Sequence, residues 1–454
     1  MKTGLTYLLL AGLLLISGIN KLIAQDSVVV LSMNDCIRMG LNQSAKVLLT
    51  EDSLQMTGAA LLGAYGQFLP DLNLTGTYDY LSGSNLLTME EPTLVYAKET
   101  QLNYQLTSTL NIFNGFSDYS ALKVALLSKT AEEYTLDRAK QFIIFDVTQS
   151  YLQVILDRRE YDYAKKNLHV SETREAQLKE LTDVGRKAIG DLYQQQALTS
   201  NDKLYMLQTE VKTKNDLLLL LRKIRIGQTD KYNIYDITVD TVPLGPEYDN
   251  VQNLVDEANQ QRPDLKTSAL NIQIAGWRVK ELESGYLPKL NLEGALVSNG
   301  GYVYELYVDH KDDLGPQEPI DQALFGQLYG EISLNLSWHL FDRFYNKTNV
   351  DIAKIYQRNQ EILYDDLTVQ ISSDVKQAYN NYVTALQQIE TANHGLLASS
   401  QAYDVVQGEY NLGRTDFVSL SNAQAVLLQA EVTRAQAGIN LALQKKIIDY
   451  YIGK

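Results

Sequence analysis

The chain has 454 residues, 45% of them hydrophobic, enough for two or three ordinary domains with a full core. Its formal charge of −15 argues against nucleic acid or an anionic membrane surface as partner. A single cysteine, Cys36, excludes any intrachain disulfide.

The first residues read as a secretory signal, 1–24. Lys2 supplies the positive start, Leu5 to Ile16 the apolar stretch, and Leu22-Ile23-Ala24 a small-residue cleavage site before Gln25. Cys36 lies well past that point, so a lipid anchor is not expected, and it reads as an inert thiol packed in a helix. After the signal no stretch approaches ~18 consecutive apolar residues, so a chain like this can span a bilayer only as a β-barrel.

An internal repeat organises the rest. Tyr65-Gly66-Gln67-Phe68-Leu69-Pro70 returns as Ser284-Gly285-Tyr286-Leu287-Pro288, a spacing of 218 from Pro70 to Pro288. Phe113 returns as Phe341 and Val184-Gly185-Arg186 as Leu412-Gly413-Arg414, both at a spacing of 228. The change in spacing assigns one insertion to the stretch between the Pro and Phe anchors, where an exposed loop belongs. The first repeat is read as 25–226, the second as 251–454, with a linker, 227–250, that packs around the waist of the body.

In chain order, each repeat opens with a short helix, about Met33 to Gly66 and about Val251 to Gly285. Two strands follow, within about 71–113 and about 289–341, each about ten residues long, the length a tilted transmembrane strand needs. Leu72, Leu74, Tyr78 and Tyr80 alternate with Asn73, Thr75, Thr77 and Asp79; Leu102, Tyr104, Leu106, Leu110 and Ile112 alternate with Asn103, Gln105, Thr107, Thr109 and Asn111. The second repeat sets Leu290, Leu292 and Leu296, then Ile332, Leu334, Leu336, Trp338 and Leu340, against Asn291, Glu293, Glu331, Ser333, Asn335 and His339. A soluble sandwich is the competing reading, but it calls for more than four strands.

No proline occurs between Pro92 and Pro243 or after Pro319. Long helices are therefore expected over 117–184 and 345–412, both 68 residues and about 100 Å at 1.5 Å per residue. Leu136, Ile143, Val147, Tyr151, Val154 and Tyr161 stand at coiled-coil spacings. Each long helix ends at a glycine turn, Gly185-Arg186 or Gly413-Arg414, and return helices follow over 191–226 and 417–451. The fold class is thus mostly α with a transmembrane β-barrel: long antiparallel coiled-coil helices form an α-barrel, and four strands per chain enter a shared barrel. Four strands cannot close alone, so two chains giving eight or three giving twelve are required, and the polar lumen face favours three.

Catalytic and metal patterns are absent from the sequence. His169, His310, His339 and His394 are scattered, without metal-ligand spacing, and His339 reads as facing lumen water. Asp365-Asp366 and Glu132-Glu133 read as solvated or lumen-lining charges. The run Asp309-His310-Lys311-Asp312-Asp313 has the oxygens for a weak Ca²⁺ site but reads as a solvated outer loop. No enzyme activity and no cofactor are expected.

Signal, doubled strand pair, doubled long helix and glycine tips together resemble the TolC-like outer-membrane efflux proteins (outer membrane factors) over essentially the whole mature chain. The sharpest pieces are Tyr410-x-x-Gly413 followed by Phe417-Val418-Ser419-Leu420 and Ala423-Gln424, with Val184-Gly185, Asp191 and Gln196-Ala197 as the counterpart. The resemblance implies a homotrimer in outer-membrane lipid, a twelve-stranded barrel, and a periplasmic α-helical tunnel closed at its inner end. It implies partners too, a periplasmic adaptor (membrane fusion) protein and an inner-membrane pump, for efflux or type I secretion. Tips at Gly185, Arg186, Gly413 and Arg414 match adaptor-contacting positions, and Asp191 and Tyr410 match a gate latch. Asp191 also reads as a cap for the helix after Gly190. Ser419 and Asn422 match lumen-constriction positions that are acidic in the best-known member; its basic latch partner falls at Thr415, beside Arg414, and Asp416 is a candidate substitute charge. A periplasmic coiled-coil scaffold or adaptor that does not span the membrane is the alternative.

Overall fold

A computed structural model describes residues 29–88, 92–227, 231–235, 248, 250–308, 311–312 and 328–454. The signal segment, most of the linker, and Asp309, His310 and Asp313 of the acidic run lie outside the described residues. The chain forms two compact units, one of Met1–Glu51 (described from Val29), Leu136–Pro263 and Thr368–Lys454, the other of Asp52–Thr135 and Asp264–Leu367.

Each expected opening helix is two helices. α1 (Met33–Gln43) and α2 (Ala45–Gly66) meet at Ser44; α5 (Val251–Gln261) and α6 (Pro263–Glu283) meet at Arg262. Ser44 (φ −59°, ψ 129°) and Arg262 (φ −60°, ψ 123°) are both extended. Pro263 accounts for the second break, because its ring excludes helical geometry from the residue before it while suiting the first helical position. Ser32 starts α1 with a capping box, accepting from the Asp35 amide at 3.2 Å while Asp35 accepts from the Ser32 amide at 3.2 Å.

The long helices form as expected: α3 (Ser117–Asp183) and α7 (Tyr345–Asn411), of 67 residues each, followed by α4 (Ile189–Lys223) and α8 (Phe417–Ile452). In the first unit Leu136, Ile143, Val147, Tyr151 and Val154 are buried, while Tyr161 is half-buried. Gly40 lets α1 approach α3 closely: a Cβ there would stand 3.0 Å from Val147 and 3.1 Å from Ile143. Cys36 is fully buried nearby, and burial pushes its thiol up to about 11, consistent with an inert packed sulfur.

An unexpected pair of three-residue strands, β1 (Val29–Leu31) and β4 (Tyr232–Ile234), runs parallel in this unit. It is fastened to α3 by two polar side chains. The buried Tyr151 donates its hydroxyl to Tyr235 O at 2.6 Å and Leu31 O at 3.3 Å, and Arg158 donates to Ile234 O at 2.9 Å and to Asn233. Tyr248, also from the linker, donates to Asp449 at 2.9 Å.

The second unit holds an antiparallel sheet in the order β2 (Asn73–Thr88), β3 (Pro92–Phe113), β5 (Lys289–Val308), β7 (Leu328–Ser337), with a two-residue β6 (Lys311–Asp312) on the far end of β5. The strands are 16, 22, 20 and 10 residues long, so three of the four exceed the expected ten. Strand β7 stops at Ser337. Trp338, His339 and Leu340 therefore do not belong to a strand, and His339 has no strand face to occupy. Trp338 instead donates its indole N–H to Tyr286 O at 3.1 Å.

The corners from strand to helix repeat one device. Gly115 and Phe116 both adopt positive φ (70° and 68°), as do Arg343 and Phe344 (56° and 64°). Asn114 accepts from the Asp118 amide at 3.3 Å, and its counterpart Asp342 accepts from the Asn346 amide at 2.8 Å. Phe113 meets Phe116 edge-on at 5.2 Å and Phe341 meets Phe344 at 5.6 Å. Only the first corner demands glycine for space, since a Cβ on Gly115 would lie 2.5 Å from Ser284 O.

Candidate functional site: an apolar sheet face and paired helix tips

Register decides what the sheet can do. Leu74 faces Leu106, and Leu106 faces Leu296; Leu110 faces Leu292, and Leu292 faces Leu334. Cross-strand partners share a face, so one side of the sheet is a leucine-rich band running across all four strands. The opposite side aligns Asn111, Asn291 and Asn335 in one row and Thr109, Glu293 and Ser333 in the next. The apolar side is uncovered: Leu74 is 75% exposed and Ile332 83%. Among the described residues, strands β2 and β7 each pair on one side only, leaving two open edges. An apolar face and two unpaired edges in one sheet are an aggregation hazard in water. In lipid, closed by further copies, the same features become a barrel wall.

The tips of the other unit are built alike. Gly185 (φ 75°) and Gly413 (φ 70°) take the left-handed conformation that ends a helix. Arg186 N–H donates to Leu181 O at 2.8 Å and Arg414 N–H to Glu409 O at 2.9 Å, closing the two turns identically. Gly185, Arg186, Gly413 and Arg414 are all exposed.

Behind the turns, buried Leu178, Leu192 and Phe417 pack together, flanked by Leu198 and Tyr410. The Tyr410 ring meets Phe417 edge-on at 6.5 Å, and Lys187 Nζ lies 5.0 Å over its face. Among the described residues no hydrogen bond joins the Tyr410 hydroxyl to Asp191, although Asp191 adjoins Leu192 of the same cluster. Asp191 is not the helix cap: α4 begins at Ile189 with Ala188 as its N-cap, and Asp191 sits in the first turn, where the helix dipole favours its charge. In the second tip Asp416 caps α8, accepting from the Ser419 amide at 2.7 Å. That bond holds the Asp416 carboxyl below its ordinary range and ties up the charge that the sequence offered as a substitute at the constriction. Ser419 is half-buried and Asn422 exposed.

A polar layer adjoins the apolar cluster, marked by neither period nor repeat in the sequence. Arg174 donates to Gln424 at 2.5 Å, and Gln424 donates to Asn167 at 2.9 Å, linking α3 to α8. Ser171 donates to Asp202, whose carboxyl is raised by burial against the opposing bonds from Ser171 and Asn167. These groups line a cavity of about 170 Å³. A larger groove of about 990 Å³ runs between α7 and α8, lined by uncharged residues such as Gln388, Thr391, Gly395, Val426, Gln429 and Thr433. Among the described residues no group of three or more His, Cys, Asp or Glu is placed to hold a metal, and no helix is long and apolar enough to cross a membrane.

Among the described residues the chain thus combines an apolar, open-edged sheet with two helices of 67 residues. The family model described as Outer membrane efflux protein matches residues 254–446, most of the second repeat. The TolC outer membrane protein of Escherichia coli (strain K12) is 21% identical over 396 residues, 86% of this chain and 76% of TolC. The Campylobacter jejuni CmeC outer membrane channel has the same fold, with a TM-score of 0.76 at 16% identity, covering 93% of this chain and 85% of that one. The Vibrio cholerae outer membrane protein VceC likewise gives 0.76 at 14% identity, covering 93% and 96%. The resemblance to TolC-like outer-membrane efflux proteins is thus borne out.

Proposed function

We propose that the protein is the subunit of a homotrimeric exit duct that catalyses no reaction. The observation that carries this reading is the sheet, whose leucine band and two unpaired edges match what a shared barrel needs. Three copies of β2, β3, β5 and β7 give twelve strands, enough for an aqueous lumen rather than a packed plug. Edge β2 of one protomer pairs with edge β7 of the next, so the leucine band faces lipid and the Asn–Thr–Ser rows face water.

The helices continue the passage as a periplasmic α-barrel whose inner end is the pair of tips. A periplasmic adaptor contacts Gly185, Arg186, Gly413 and Arg414, and it couples the duct to an inner-membrane pump that supplies energy and selects the cargo. The uncharged groove between α7 and α8 offers the adaptor's helices a seat without a charge to desolvate. Asp191 and Tyr410 form the gate latch: as the tip closes in the trimer, the Tyr410 hydroxyl donates to the Asp191 carboxylate. Such a charge-assisted bond is modest in water and easily exchanged. Ser419 and Asn422 line the constriction without charge, so the entrance lacks an acidic ring to trap cations.

Planar-bilayer recording tests this. The closed duct gives a small, cation-preferring conductance, and Tyr410→Phe and Asp191→Ala each raise it without an adaptor. Unchanged conductance in both variants removes the latch and leaves the duct; no conductance from correctly folded protein removes the duct.

A further inference from the structure

Helix α3 buries two acids in the same unit as the tips, Asp157 completely and Glu160 nearly so. Lys212 of α4 reaches both, 2.8 Å from Asp157 Oδ1 and 3.1 Å from Glu160 Oε2. Gln153 donates to the same Asp157 Oδ1 at 2.9 Å, and Gln436 of α8 donates to Glu160 Oε1 at 2.7 Å. Asp157 Oδ2 is sealed from water and, among the described residues, meets no N–H or hydroxyl donor. What does face Asp157 is a third acid, Asp216, one turn along α4 from Lys212 and in hydrogen-bonding contact with it. Two carboxylates in contact resist being ionised together, and a sealed acceptor without a donor is unfavourable. One proton on Asp216 answers both problems, because a protonated carboxyl is a donor and Oδ2 is the acceptor that lacks one.

We propose that Asp157 and Asp216 form a proton-binding site that clamps α4 to α3 in acid and loosens the clamp as the pH rises. Among the described residues the titratable groups gathered around it are Asp157 and Glu160 from α3, and Lys212 and Tyr205 from the helix of Asp216 itself; α8 presents the amide of Gln436. Asp216 is pushed up from its ordinary 3.8 to about 6, by the contact with Asp157 first and by burial second, against the pull of Lys212. A raised carboxyl pKa means that the folded state holds the proton more tightly than the unfolded state does. The stabilisation is therefore fully present below 3.8 and is lost as pH rises through about 6.

Hydrogen exchange of the full-length protein in detergent, read over Ile189–Lys223 and corrected for the intrinsic pH dependence, tests the clamp. The displacement from 3.8 to about 6 would change local opening roughly a hundredfold at a fully sealed site; for the half-buried Asp216, screening by water brings this to about tenfold between pH 5 and 8. Asp216→Asn keeps a permanent donor toward Asp157 and flattens the profile at the slow, acid level. Asp157→Asn donates to Asp216 instead and also removes the midpoint, so either variant suffices if the other fails to fold. Infrared difference spectra between wild type and Asp216→Asn show a carboxylic acid band that disappears with a midpoint near 6. A flat wild-type profile, or variants that titrate as the wild type does, overturns the proposal.

Discussion

Replacing Ile332 by Arg separates a lipid-facing sheet from a water-facing one. Ile332 is the fifth of the ten residues of β7, 83% exposed, and faces Gly294 in the leucine band. Midway along a strand in a bilayer, an arginine on the lipid face costs about 2–4 kcal/mol, or roughly 30- to 1000-fold in the folding equilibrium per protomer. On a surface in water the same substitution falls within about 0.5 kcal/mol. Asn335→Arg is the control, on the same strand but in the polar row with Asn291. The assay is a urea titration of folding into lipid vesicles, with the folded fraction read by gel mobility without heating. Ile332→Arg should shift the midpoint strongly while Asn335→Arg moves it little. Equal behaviour of Ile332→Arg, Asn335→Arg and wild type would refute the assignment of faces.

Other expectations concern the frame around the sites. Gly115→Ala combines a left-handed backbone at φ 70° with a Cβ 2.5 Å from Ser284 O, so it should cost at least about 2–3 kcal/mol, whereas Arg343→Gly at the matching corner should be tolerated; thermal unfolding checks both. Tyr151→Phe removes the donor to Tyr235 O and Leu31 O and should cost about 1–2 kcal/mol, with faster hydrogen exchange in β1 and β4; unchanged exchange there would show that the strand pair holds without it.

The elements that sequence disclosed are those with long periods or repeated marks. Two helices of 67 residues followed from the lack of proline, and their ends from Gly185 and Gly413, where the backbone needs a left-handed residue. The sheet faces were legible because alternation is a local property, and the register then aligned Leu74, Leu106 and Leu296 as alternation alone could not. Strand lengths were not legible, since turn residues such as Gly83 and Gly301 lie within pairings that continue past them. Pro263 stands at the break between α5 and α6, although the expected helix ran through it, and Ser44 carries no such mark. The parallel pair β1 and β4 is three residues a strand, too short for any period, and is held by Tyr151 and Arg158 from a distant helix. At the tips, the glycine turns could be read from the repeat, and Tyr410 only through the family resemblance. The Arg174–Gln424–Asn167 links and the Asp157–Asp216 pair depend on which helix faces meet, which composition and spacing leave open.

The trimeric duct itself is tested most directly by the mass of the purified protein in detergent, with detergent mass subtracted. A trimeric duct gives about three chains per particle and precipitates when detergent is withdrawn. A monomer that stays soluble without detergent would contradict it and favour a periplasmic coiled-coil scaffold.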